Sequence, residues 1–440
     1  MMKKFTIMTL GCKVNQYESD GLAQYLITSG WRSTADKTGA DLCIINTCTV
    51  TQKAAMQSRQ AIRKAVKTNP GACIIVTGCY AQVEPSELEK ISGVDYVIGH
   101  ADKHKIPFML SKIAKRENLH PIRICHDVAI EKKFAHFPCP VSGQRTRAFL
   151  KIQDGCNNFC TYCIVPYARG RSRSMPAAEV LNNIKKLQAA GFKEVVLTGI
   201  HLGYYGLDFA PRGSLAEMLK QIHEARPINR VRLSSIEPHE ITEEIISLVA
   251  SSPVFCHHFH IPLQSGDDGI LKRMHRPYSG AFFKDLVLKI DGLLPDAAIG
   301  ADLLVGFPGE TDTAFENTYN VIKKLPLTYL HVFPFSPRSG TPAAGYPDQV
   351  AHDVVKLRCR RMRDLGIAKK KLFYKNNIGK ISKVLIEGER ARDTGLLKGT
   401  THNYIPVLLK GADYIKERIV NVMIESVSEQ GRVSGRLFKT

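Results

Sequence analysis

A regular alternation of strand-like and helix-like segments is the feature that most constrains the fold of this chain. From residue 147 onward, six apolar strand patterns are separated by amphipathic helical patterns. The strands span 147–153, 194–200, 230–236, 258–263, 299–305 and 329–335. Consecutive βα units of this kind build parallel strands covered by helices. Six units, without the two more that a closed barrel needs, predict an open, partial TIM-type barrel with its chemistry at the carboxyl ends of the strands.

The residues before this block show a second, separate alternation. Continuous apolar strands are predicted at 5–12, 42–48, 73–79 and 96–99, with helical patterns after the first two. Strands that are apolar throughout are typical of a parallel, doubly wound sheet that is buried on both faces. In such sheets ligands bind outside the carboxyl ends of the strands. Segment 118–143 carries three prolines and loses the alternation, so we interpret it as a linker or crossing segment.

The C-terminal part of the chain contains two further predicted regions, a basic helix and then a set of short strands. Residues 356–375 form a predicted helix with nine basic residues and one acidic residue. Four short strand patterns then follow at 383–387, 403–409, 417–425 and 432–437, which fit a small β-barrel. The sequence therefore predicts an α/β chain in four regions: a parallel-sheet domain at 1–115, a linker at 116–141, a partial barrel at 142–374 and a small β-barrel at 375–440.

Charge and composition indicate what kind of partner the protein binds and in which cellular compartment it works. Sixty-one lysines and arginines against forty-one aspartates and glutamates give a net charge of +20, which favours a polyanionic partner, nucleic acid first. The sequence has no run of eighteen apolar residues, so we expect no membrane span. Because residues 11–20 turn polar directly after the first apolar run, we infer no signal peptide and expect a cytoplasmic protein. In that reducing compartment, clustered cysteines indicate metal binding or catalysis more often than disulfides.

Three of the twelve cysteines crowd onto one segment directly after the first barrel strand. Cys156, Cys160 and Cys163 have the spacing C-x3-C-x2-C. Three thiolates on one loop can ligate three irons of a cubane cluster and leave the fourth iron open. The alternative is a zinc site built on the C-x2-C pair of Cys160 and Cys163. Because structural zinc needs four ligands, a fourth would have to come from a distant part of the chain, and iron–sulfur is the favoured interpretation.

Three further cysteines stand at the ends of predicted strands in the first domain. Cys12, Cys48 and Cys79 are each followed by polar residues instead of further core. Parallel strands bring their carboxyl ends to one edge of a sheet, so these three thiols could converge there. The spacings between them, thirty-six and thirty-one residues, do not by themselves indicate a metal site. Three unrelated buried cysteines are the alternative interpretation.

Polar residues at the ends of barrel strands are candidates for binding a cofactor or substrate. Ser235 and Glu237 end the third predicted strand, and Gln264 ends the fourth. Side chains at such places face the mouth of a barrel, although each could equally satisfy backbone groups at a turn. Three arginines of segment 166–174 lie near the same mouth. In a chain with this basic excess, they could bind phosphate or carboxylate groups, although a solvated surface loop is the alternative.

In combination, these motifs resemble the methylthiotransferase family of radical S-adenosylmethionine enzymes. The matching blocks are LGCKVNQYES at 10–19, NTCTV at 46–50, TGCYAQ at 77–82, GCNNFCTYC at 155–163 and GTTHNY at 399–404. They occur in the family's order and extend over nearly the whole chain. Members of this family join a cysteine-bearing α/β domain, a radical barrel and a terminal β-barrel called TRAM, so the resemblance implies the same three domains here.

The resemblance implies two 4Fe–4S clusters and S-adenosylmethionine as cofactors. Two sets of cysteines would ligate the clusters: Cys156, Cys160 and Cys163 the cluster that chelates S-adenosylmethionine, and Cys12, Cys48 and Cys79 an auxiliary cluster. Four residues would bind S-adenosylmethionine, the first against its adenine: Tyr162, Ser235, Glu237 and Gln264. In the family, one S-adenosylmethionine methylates a sulfur on the auxiliary cluster. Another supplies the radical that opens an unreactive C–H bond, after which CH3S joins the substrate.

The substrate implied by the resemblance is tRNA. The block around Cys12 is similar to the subgroup that acts on N6-threonylcarbamoyladenosine at position 37 and forms its 2-methylthio derivative. Sister groups act on isopentenyladenosine in tRNA or on an aspartate of a small-subunit ribosomal protein. The basic helix at 356–375 supports a phosphate-backbone partner with salt-sensitive binding, although a solubilising surface helix is the alternative.

The remaining expectations concern partners. An electron donor such as flavodoxin should reduce the clusters, and we expect a monomer without a membrane partner.

A second hypothesis assigns the chain to a different functional class, a zinc-stabilised RNA-binding protein without catalysis. Metal identity separates the two, because iron with labile sulfide supports the enzyme and zinc supports the binding protein.

Overall fold

The first part of the chain forms a parallel sheet. The computed structural model describes residues 2–34, 38–110, 115, 120–141 and 145–438. Six strands build the sheet: β1 (Lys4–Thr9), β2 (Arg32–Ser33), β3 (Leu42–Thr47), β4 (Cys73–Gly78), β5 (Tyr96–Ile98) and β6 (Ile122–Ile124). Their order is β2-β1-β3-β4-β5-β6, with every neighbouring pair parallel. Five helices lie between them along the chain: α1 (Lys13–Thr28), α2 (Gln52–Thr68), α3 (Cys79–Val83), α4 (Pro85–Glu89) and α5 (Ile106–Met109).

Burial on both faces explains why the strands of this sheet are apolar throughout. Every residue of β3 and β4 is buried. Their side chains alternate between two hydrophobic clusters, with Ile44 and Ile75 in one and Ile45 and Val76 in the other. Both faces are therefore covered, and the predicted doubly wound sheet is confirmed.

Three local features of the sheet differ from the sequence expectation. β1 ends at Thr9, so Cys12 does not lie on the strand but directly precedes α1. Gly11, with φ of +98°, turns the chain at this point, a conformation that glycine adopts without steric cost. Within segment 116–141, expected as a linker, β6 pairs with β5 and supplies an edge strand. The two-residue strand β2 was not predicted, because its residues are exposed and polar and show no strand pattern.

Six parallel strands form an open barrel in the middle of the chain. The strands of this region are β7 (Ala148–Lys151), β8 (Gln153–Asp154), β9 (Arg173–Ser174), β10 (Glu194–Thr198), β11 (Arg230–Leu233), β12 (His258–Gln264), β13 (Ala298–Val305) and β14 (Tyr329–Pro334). β8 and β9 form a small antiparallel pair. The other six run parallel in two sheets of three. A backbone hydrogen bond from Ile236 to His260 (3.1 Å) joins the two sheets. Each predicted barrel strand overlaps an observed one, so the partial barrel is confirmed.

Eight helices occur in this part of the chain. They are α6 (Val165–Arg169), α7 (Ala177–Ala189), α8 (Leu215–Ala225), α9 (Glu243–Ser251), α10 (Asp268–Arg273), α11 (Gly280–Leu293), α12 (Asp312–Lys324) and α13 (His352–Lys375). The longest helix, α13, crosses β14 at Gly366, where a side-chain Cβ would lie 3.1 Å from Leu330. Within the described ranges, none of the helices has the length and apolar character needed to cross a bilayer.

The last part of the chain is a closed five-stranded barrel. Its strands are β15 (Ile381–Arg390), β16 (Leu397–Thr401), β17 (Pro406–Leu409), β18 (Ile419–Val427) and β19 (Val433–Leu437), in the order β15-β16-β17-β19-β18. The predicted small barrel is confirmed, but the strand expected at 403–409 begins only at Pro406, and β16 was not predicted. Tyr404 occupies the intervening turn, and its ring centroid lies 5.0 Å from the guanidinium of Arg232 on β11.

The first sheet domain contacts both edges of the open barrel. At one edge, α1 packs against β7. At the other, the backbone N–H of Gln52 donates to Ser336 Oγ (3.0 Å), and Arg338 donates to Thr49 Oγ1 (2.7 Å). Because Ser336 and Arg338 follow β14, the sheet domain spans the gap that the missing barrel strands would otherwise fill.

A network of buried charges lies where α1 meets the barrel. Its members come from both domains and are almost inaccessible to solvent: Glu18, Lys103, Lys151, Asp154 and Arg169. Glu18 accepts hydrogen bonds from Lys103 Nζ (2.5 Å) and Lys151 Nζ (2.9 Å). Arg169 Nη1 donates to Glu18 Oε1 (3.2 Å) and to Asp154 Oδ1 (2.8 Å). Lys151 also donates to Asp154 (3.0 Å), so every carboxylate is shared by two or more cations.

The charges of this network determine each other's protonation. Burial alone would raise the pKa of Glu18, but Arg169, Lys103 and Lys151 hold it well below its ordinary value. Burial, and then Arg169, lower the pKa of the adjoining His100 to about 4, so its imidazole is neutral at pH 7. Three cations therefore face two carboxylates in a region without solvent. Removing one member of such a network leaves a buried charge without its partner.

The substitution Glu18→Gln should destabilise the first domain strongly. It removes the carboxylate that three buried cations share, which should lower the free energy of unfolding by about 3–5 kcal/mol. Trp31, the single tryptophan of the chain, reports unfolding of this sheet by fluorescence in urea. The matched control is Asp20→Asn in the same helix, because Asp20 forms a partly exposed pair with Arg145 and should lose less than about 1 kcal/mol. Equal losses in the two variants would contradict this assignment.

Candidate functional site

The C-x3-C-x2-C cysteines lie on a loop that follows β8. Gly155, with φ of +75°, opens the loop, and a Cβ there would lie 2.0 Å from the carbonyl oxygen of Arg171. This close approach lets the backbone N–H of Cys156 donate to the carbonyl of Gly170 (3.0 Å). Cys160 is buried, whereas Cys156 and Cys163 are half-buried. Burial and then Cys160 raise the pKa of Cys163, so these thiols lie close enough to interact.

Two basic side chains contact the sulfurs of this loop. His201 Nδ1 lies 3.2 Å from Cys156 Sγ, and its Nε2 lies 2.5 Å from Glu240 Oε1. Burial would lower the pKa of His201, but hydrogen bonds with Cys156 and Glu240 outweigh it and raise the pKa to about 10. Arg276 Nη1 donates to Cys160 Sγ (3.3 Å). Both contacts place positive charge beside sulfur, which favours the thiolate that metal binding requires.

The three cysteines of the first domain meet at the carboxyl edge of its sheet. Cys12 precedes α1 and is exposed, while Cys48 follows β3, Cys79 begins α3, and both are buried. A Cβ on Gly11 would lie 3.0 Å from Cys48 Sγ, so glycine lets the first and second cysteine approach each other. Burial, then Cys79, raise the pKa of Cys48 to about 12, and Cys12 contributes in the same direction. The thiols therefore converge, as the strand ends predicted.

Arg169 connects the two sets of cysteines. Burial raises the pKa of Cys79, and the charge and hydrogen bond of Arg169 act in the opposite direction. The same guanidinium donates to Asn15 Oδ1 (2.5 Å) as well as to the buried carboxylates. The next residue, Gly170, accepts the hydrogen bond of Cys156. Two consecutive residues thus contact one cysteine of each set.

The arginines of segment 166–174 serve a different purpose from the one expected. Arg169 and Arg173 are buried, and Arg173 donates to the backbone carbonyl of Arg169 (2.7 Å). Arg171 alone is exposed, with its guanidinium 5.8 Å from the ring centroid of Phe159. Two of the three arginines therefore bind groups within the protein, so the expectation that this segment binds phosphate or carboxylate was wrong for them.

The four expected cofactor-binding residues lie at the mouth of the barrel. Tyr162 is half-buried within the cysteine loop and packs edge-on against Phe307, with ring centroids 6.4 Å apart. Glu237 forms an ion pair with Arg276, the donor to Cys160. Burial raises the pKa of Glu237 and Arg276 opposes the shift. Ser235 and Gln264 are half-buried at their strand ends, and Gln264 has φ of +69°.

Three contacts to sulfur were missed from the sequence. His201 lies just beyond β10, so the rule that picked residues at strand ends could have found it. Arg276 lies between α10 and α11, away from any strand end, and no local pattern marks it. Arg169 was noticed as part of a basic segment, but its buried partners come from residues up to 154 positions away. Such long-range pairing leaves no signal in a single sequence.

The spacing of the sulfurs within each cysteine set bears on the kind of metal centre that the set can hold. Ligands of one tetrahedral zinc, with Zn–S bonds of 2.3 Å, have sulfurs about 3.8 Å apart. Among the described residues, neither set forms a group whose ligand atoms all lie within 4.8 Å of one another. In each set, at least one pair of sulfurs therefore lies further apart than 4.8 Å. Three spaced thiolates with cationic donors beside them fit a cubane iron–sulfur cluster.

Comparison with known proteins identifies two families within the chain. Residues 4–99 match the model of the uncharacterized protein family UPF0004, and residues 150–322 match that of the radical SAM superfamily. The solved structure of the radical S-adenosylmethionine methyltransferase TsrM from Kitasatospora setae, with cobalamin and a [4Fe-4S] cluster bound, has a TM-score of 0.57 at 16% identity. It covers 78% of this chain and 77% of its own. This likeness concerns the fold alone.

Curated relatives match the chain along almost its whole length. The threonylcarbamoyladenosine tRNA methylthiotransferase MtaB of Bacillus subtilis is 41% identical over 94% of this chain and 92% of its own. The protein of the same name from Rickettsia prowazekii is 40% identical over 92% and 90%. A tRNA-2-methylthio-N(6)-dimethylallyladenosine synthase of Clostridium botulinum is 36% identical over 96% and 94%. The chain therefore belongs to the methylthiotransferase family of radical S-adenosylmethionine enzymes.

Proposed function

We propose that this enzyme adds a CH3S group to C2 of N6-threonylcarbamoyladenosine at position 37 of tRNA. The observation that carries the proposal is the pair of cysteine sets joined through Arg169 and Gly170. An enzyme that handles both a sulfur donor and a radical must hold the two close together. The threonylcarbamoyl substrate is supported by the higher identity to relatives named for that nucleoside than to relatives named for the dimethylallyl nucleoside.

The cofactors of the family are two 4Fe–4S clusters and S-adenosylmethionine, which supply the radical and the methylated sulfur. We propose that two sets of residues ligate the clusters: Cys156, Cys160 and Cys163 the first, and Cys12, Cys48 and Cys79 the auxiliary one. S-adenosylmethionine would contact four residues at the barrel mouth: Tyr162, Ser235, Glu237 and Gln264. Basic donors from this chain would then stabilise the thiolates on both clusters: His201 and Arg276 at the first, and Arg169 at the second.

The domain division and the partners belong to the same proposal. The sheet domain at 1–115 would hold the auxiliary cluster and the barrel at 142–374 the other, with 116–141 between them. The β-barrel at 375–440 would bind RNA. Because the proposed substrate is tRNA, we also propose that the enzyme works in the cytoplasm. We propose that it is a monomer and that an electron donor such as flavodoxin reduces its clusters.

Helix α13 offers fewer free charges to RNA than its sequence suggested. Arg358 is buried and paired with Glu310, and Lys369 donates to the backbone carbonyls of Lys323 and Leu325 at the C-terminal end of α12. Four exposed cations of this helix have neither an ion pair nor a hydrogen bond with the described part of the chain: Lys356, Arg360, Lys370 and Lys375. These four are the members of the stripe that we propose to contact the phosphate backbone.

Substitution of one cysteine from each set should separate two activities. Cys156→Ala should abolish cleavage of S-adenosylmethionine, whereas Cys12→Ala should retain cleavage and lose methylthiolation. Cys139→Ala, a half-buried cysteine in neither set, serves as the control and should retain both. Cleavage is measured as 5′-deoxyadenosine and methylthiolation as modified nucleoside, both by liquid chromatography and mass spectrometry. Equal loss of cleavage in the first two variants would contradict the division of roles.

The iron content should report the two clusters independently of activity. After anaerobic reconstitution the wild-type chain should contain about eight irons, with matching sulfide. The Cys156/Cys160/Cys163→Ala variant should contain about four, because the auxiliary set remains. If the wild-type chain contains about four irons and the variant contains none, the protein has no auxiliary cluster and the proposed reaction is wrong. Bound zinc without sulfide would instead support the RNA-binding hypothesis.

The nucleoside preference should be visible with defined RNA substrates. Anticodon stem–loops that carry either N6-threonylcarbamoyladenosine or isopentenyladenosine are incubated with the reconstituted enzyme, and the 2-methylthio products are quantified. We expect turnover of the first RNA and at least tenfold lower kcat/KM for the second, because the missing polar arm removes hydrogen bonds of about 1.5–3 kcal/mol. Preference for the isopentenyl RNA, or turnover only of a small-subunit ribosomal protein, would replace this substrate with one from a sister group.

A further inference from the structure

One face of strands β12, β13 and β14 carries polar side chains. On β13, alternate residues belong to the same hydrophobic core as side chains of α11 and α12: Ile299, Ala301, Leu303 and Val305. Successive residues of a strand point to opposite faces, so Asp302 lies on the face turned away from those helices, which we call the inner face. The same alternation on β12 and β14 places His260 and His331 on the inner face.

The register of the parallel strands brings these three side chains together. Asp302 on β13 is paired with His331 on β14. His260 on β12 is paired with Gly300, which lies two residues before Asp302 on the same face. Neighbouring strands lie only about 4.8 Å apart. The two imidazoles and the carboxylate therefore meet at one place on the sheet, and each is positioned by the backbone of a strand instead of a loop.

The possible ligand atoms of this group have the spacing that a metal ion requires. Asp302 Oδ1 lies 2.8 Å from His260 Nε2 and 3.1 Å from His331 Nδ1. The three atoms all lie within 4.8 Å of one another. Ligands bound to one ion at about 2.1 Å and at right angles are about 3.0 Å apart. Two imidazoles and one carboxylate on one side of an ion form a facial triad, which leaves coordination positions open.

Tyr329 fixes the orientation of the His260 imidazole. Its hydroxyl lies 3.0 Å from His260 Nδ1 and 2.8 Å from His258 Nε2. The ring of Tyr329 occupies the space that Gly300 leaves free, since a side-chain Cβ at that position would lie 2.1 Å from the ring. A hydrogen bond to the second ring nitrogen is what orients a metal-binding histidine. His260 Nε2 is therefore held towards Asp302 before an ion binds.

Two other groups of the described residues also bring imidazole and carboxylate atoms within 4.8 Å of one another. One belongs to the buried network around Glu18, where lysines and an arginine already pair with the carboxylates. The other consists of His257, Asp296 and His402, none of which lies on a strand. There His257 Nδ1 faces both carboxylate oxygens, at 3.0 and 3.2 Å, as in a hydrogen-bonded ion pair. This second group provides a matched control.

We propose that His260, Asp302 and His331 bind a divalent transition-metal ion on the inner face of the barrel. This centre uses none of the six cysteines of the two sets. The imidazoles supply two nitrogen ligands and Asp302 supplies one oxygen ligand, a combination that suits first-row divalent ions. The side chain of His331 is exposed, so an ion can reach the group from solvent. The inference goes beyond the proposed function, because binding of the ion needs neither tRNA nor turnover.

The test measures binding of Mn²⁺ to the full chain after anaerobic reconstitution. Manganese is the probe because carboxylate and imidazole groups bind it, whereas thiolates prefer softer metals. Free Mn²⁺ gives an EPR signal at room temperature that disappears when the ion binds, so a titration yields both the stoichiometry and the Kd. We expect about one strongly bound Mn²⁺ per wild-type chain, since one facial triad holds one ion.

Variants of the three residues assign the bound ion to this group. Asp302→Asn removes the anionic ligand, and His331→Gln removes an exposed imidazole whose loss should leave the fold intact. Each should raise the Kd for Mn²⁺ at least about tenfold, because even residues that only support metal ligands have effects of that size. Asp296→Asn is the control: it alters the second group and should leave the Kd unchanged. Circular dichroism checks that all variants fold.

Three outcomes would overturn the inference. The first is a wild-type chain that binds no Mn²⁺, and the second is equal binding by wild type, Asp302→Asn and His331→Gln. The third is a loss of binding in Asp296→Asn alone, which would assign the ion to the second group. Weakened binding in both inner-face variants, with wild-type binding in Asp296→Asn, supports the inference, and it does so whether or not the enzyme methylthiolates tRNA.

Discussion

The buried ion network around Glu18 is the interaction on which the relative placement of the two cysteine sets depends. Glu18 comes from the sheet domain, whereas Lys151 and Arg169 come from the barrel, and all are removed from water. Each carboxylate accepts from cations of fixed position, so sliding or rotating either domain would leave buried charges unpaired, at a cost of several kcal/mol per ion. A hydrophobic interface would tolerate such movement better, because apolar contacts have no directional requirement. The network therefore holds the two domains in one arrangement.

Arg169 shows why an arginine suits this position better than a lysine. Its guanidinium contacts Asn15, Glu18, Asp154 and Cys79 at once, which a planar group with five donors can do and an ammonium group cannot. The network as a whole has one more cation than carboxylate. A cluster held by three thiolates carries net negative charge and would compensate that excess. Cluster binding and domain docking would then be linked electrostatically, because the excess charge would favour the assembled, cluster-loaded state.

The sequence predicted the elements of this protein better than the contacts between them. The six barrel strands follow from their βα alternation, and the convergence of Cys12, Cys48 and Cys79 follows from parallel strands ending at one edge. Strands with little apolar pattern, such as Leu397–Thr401, were missed because glycine and threonine give no alternation. The role of Arg169 was misjudged for a different reason. A sequence shows that a residue is charged, but only the fold shows that carboxylates from distant positions are buried beside it.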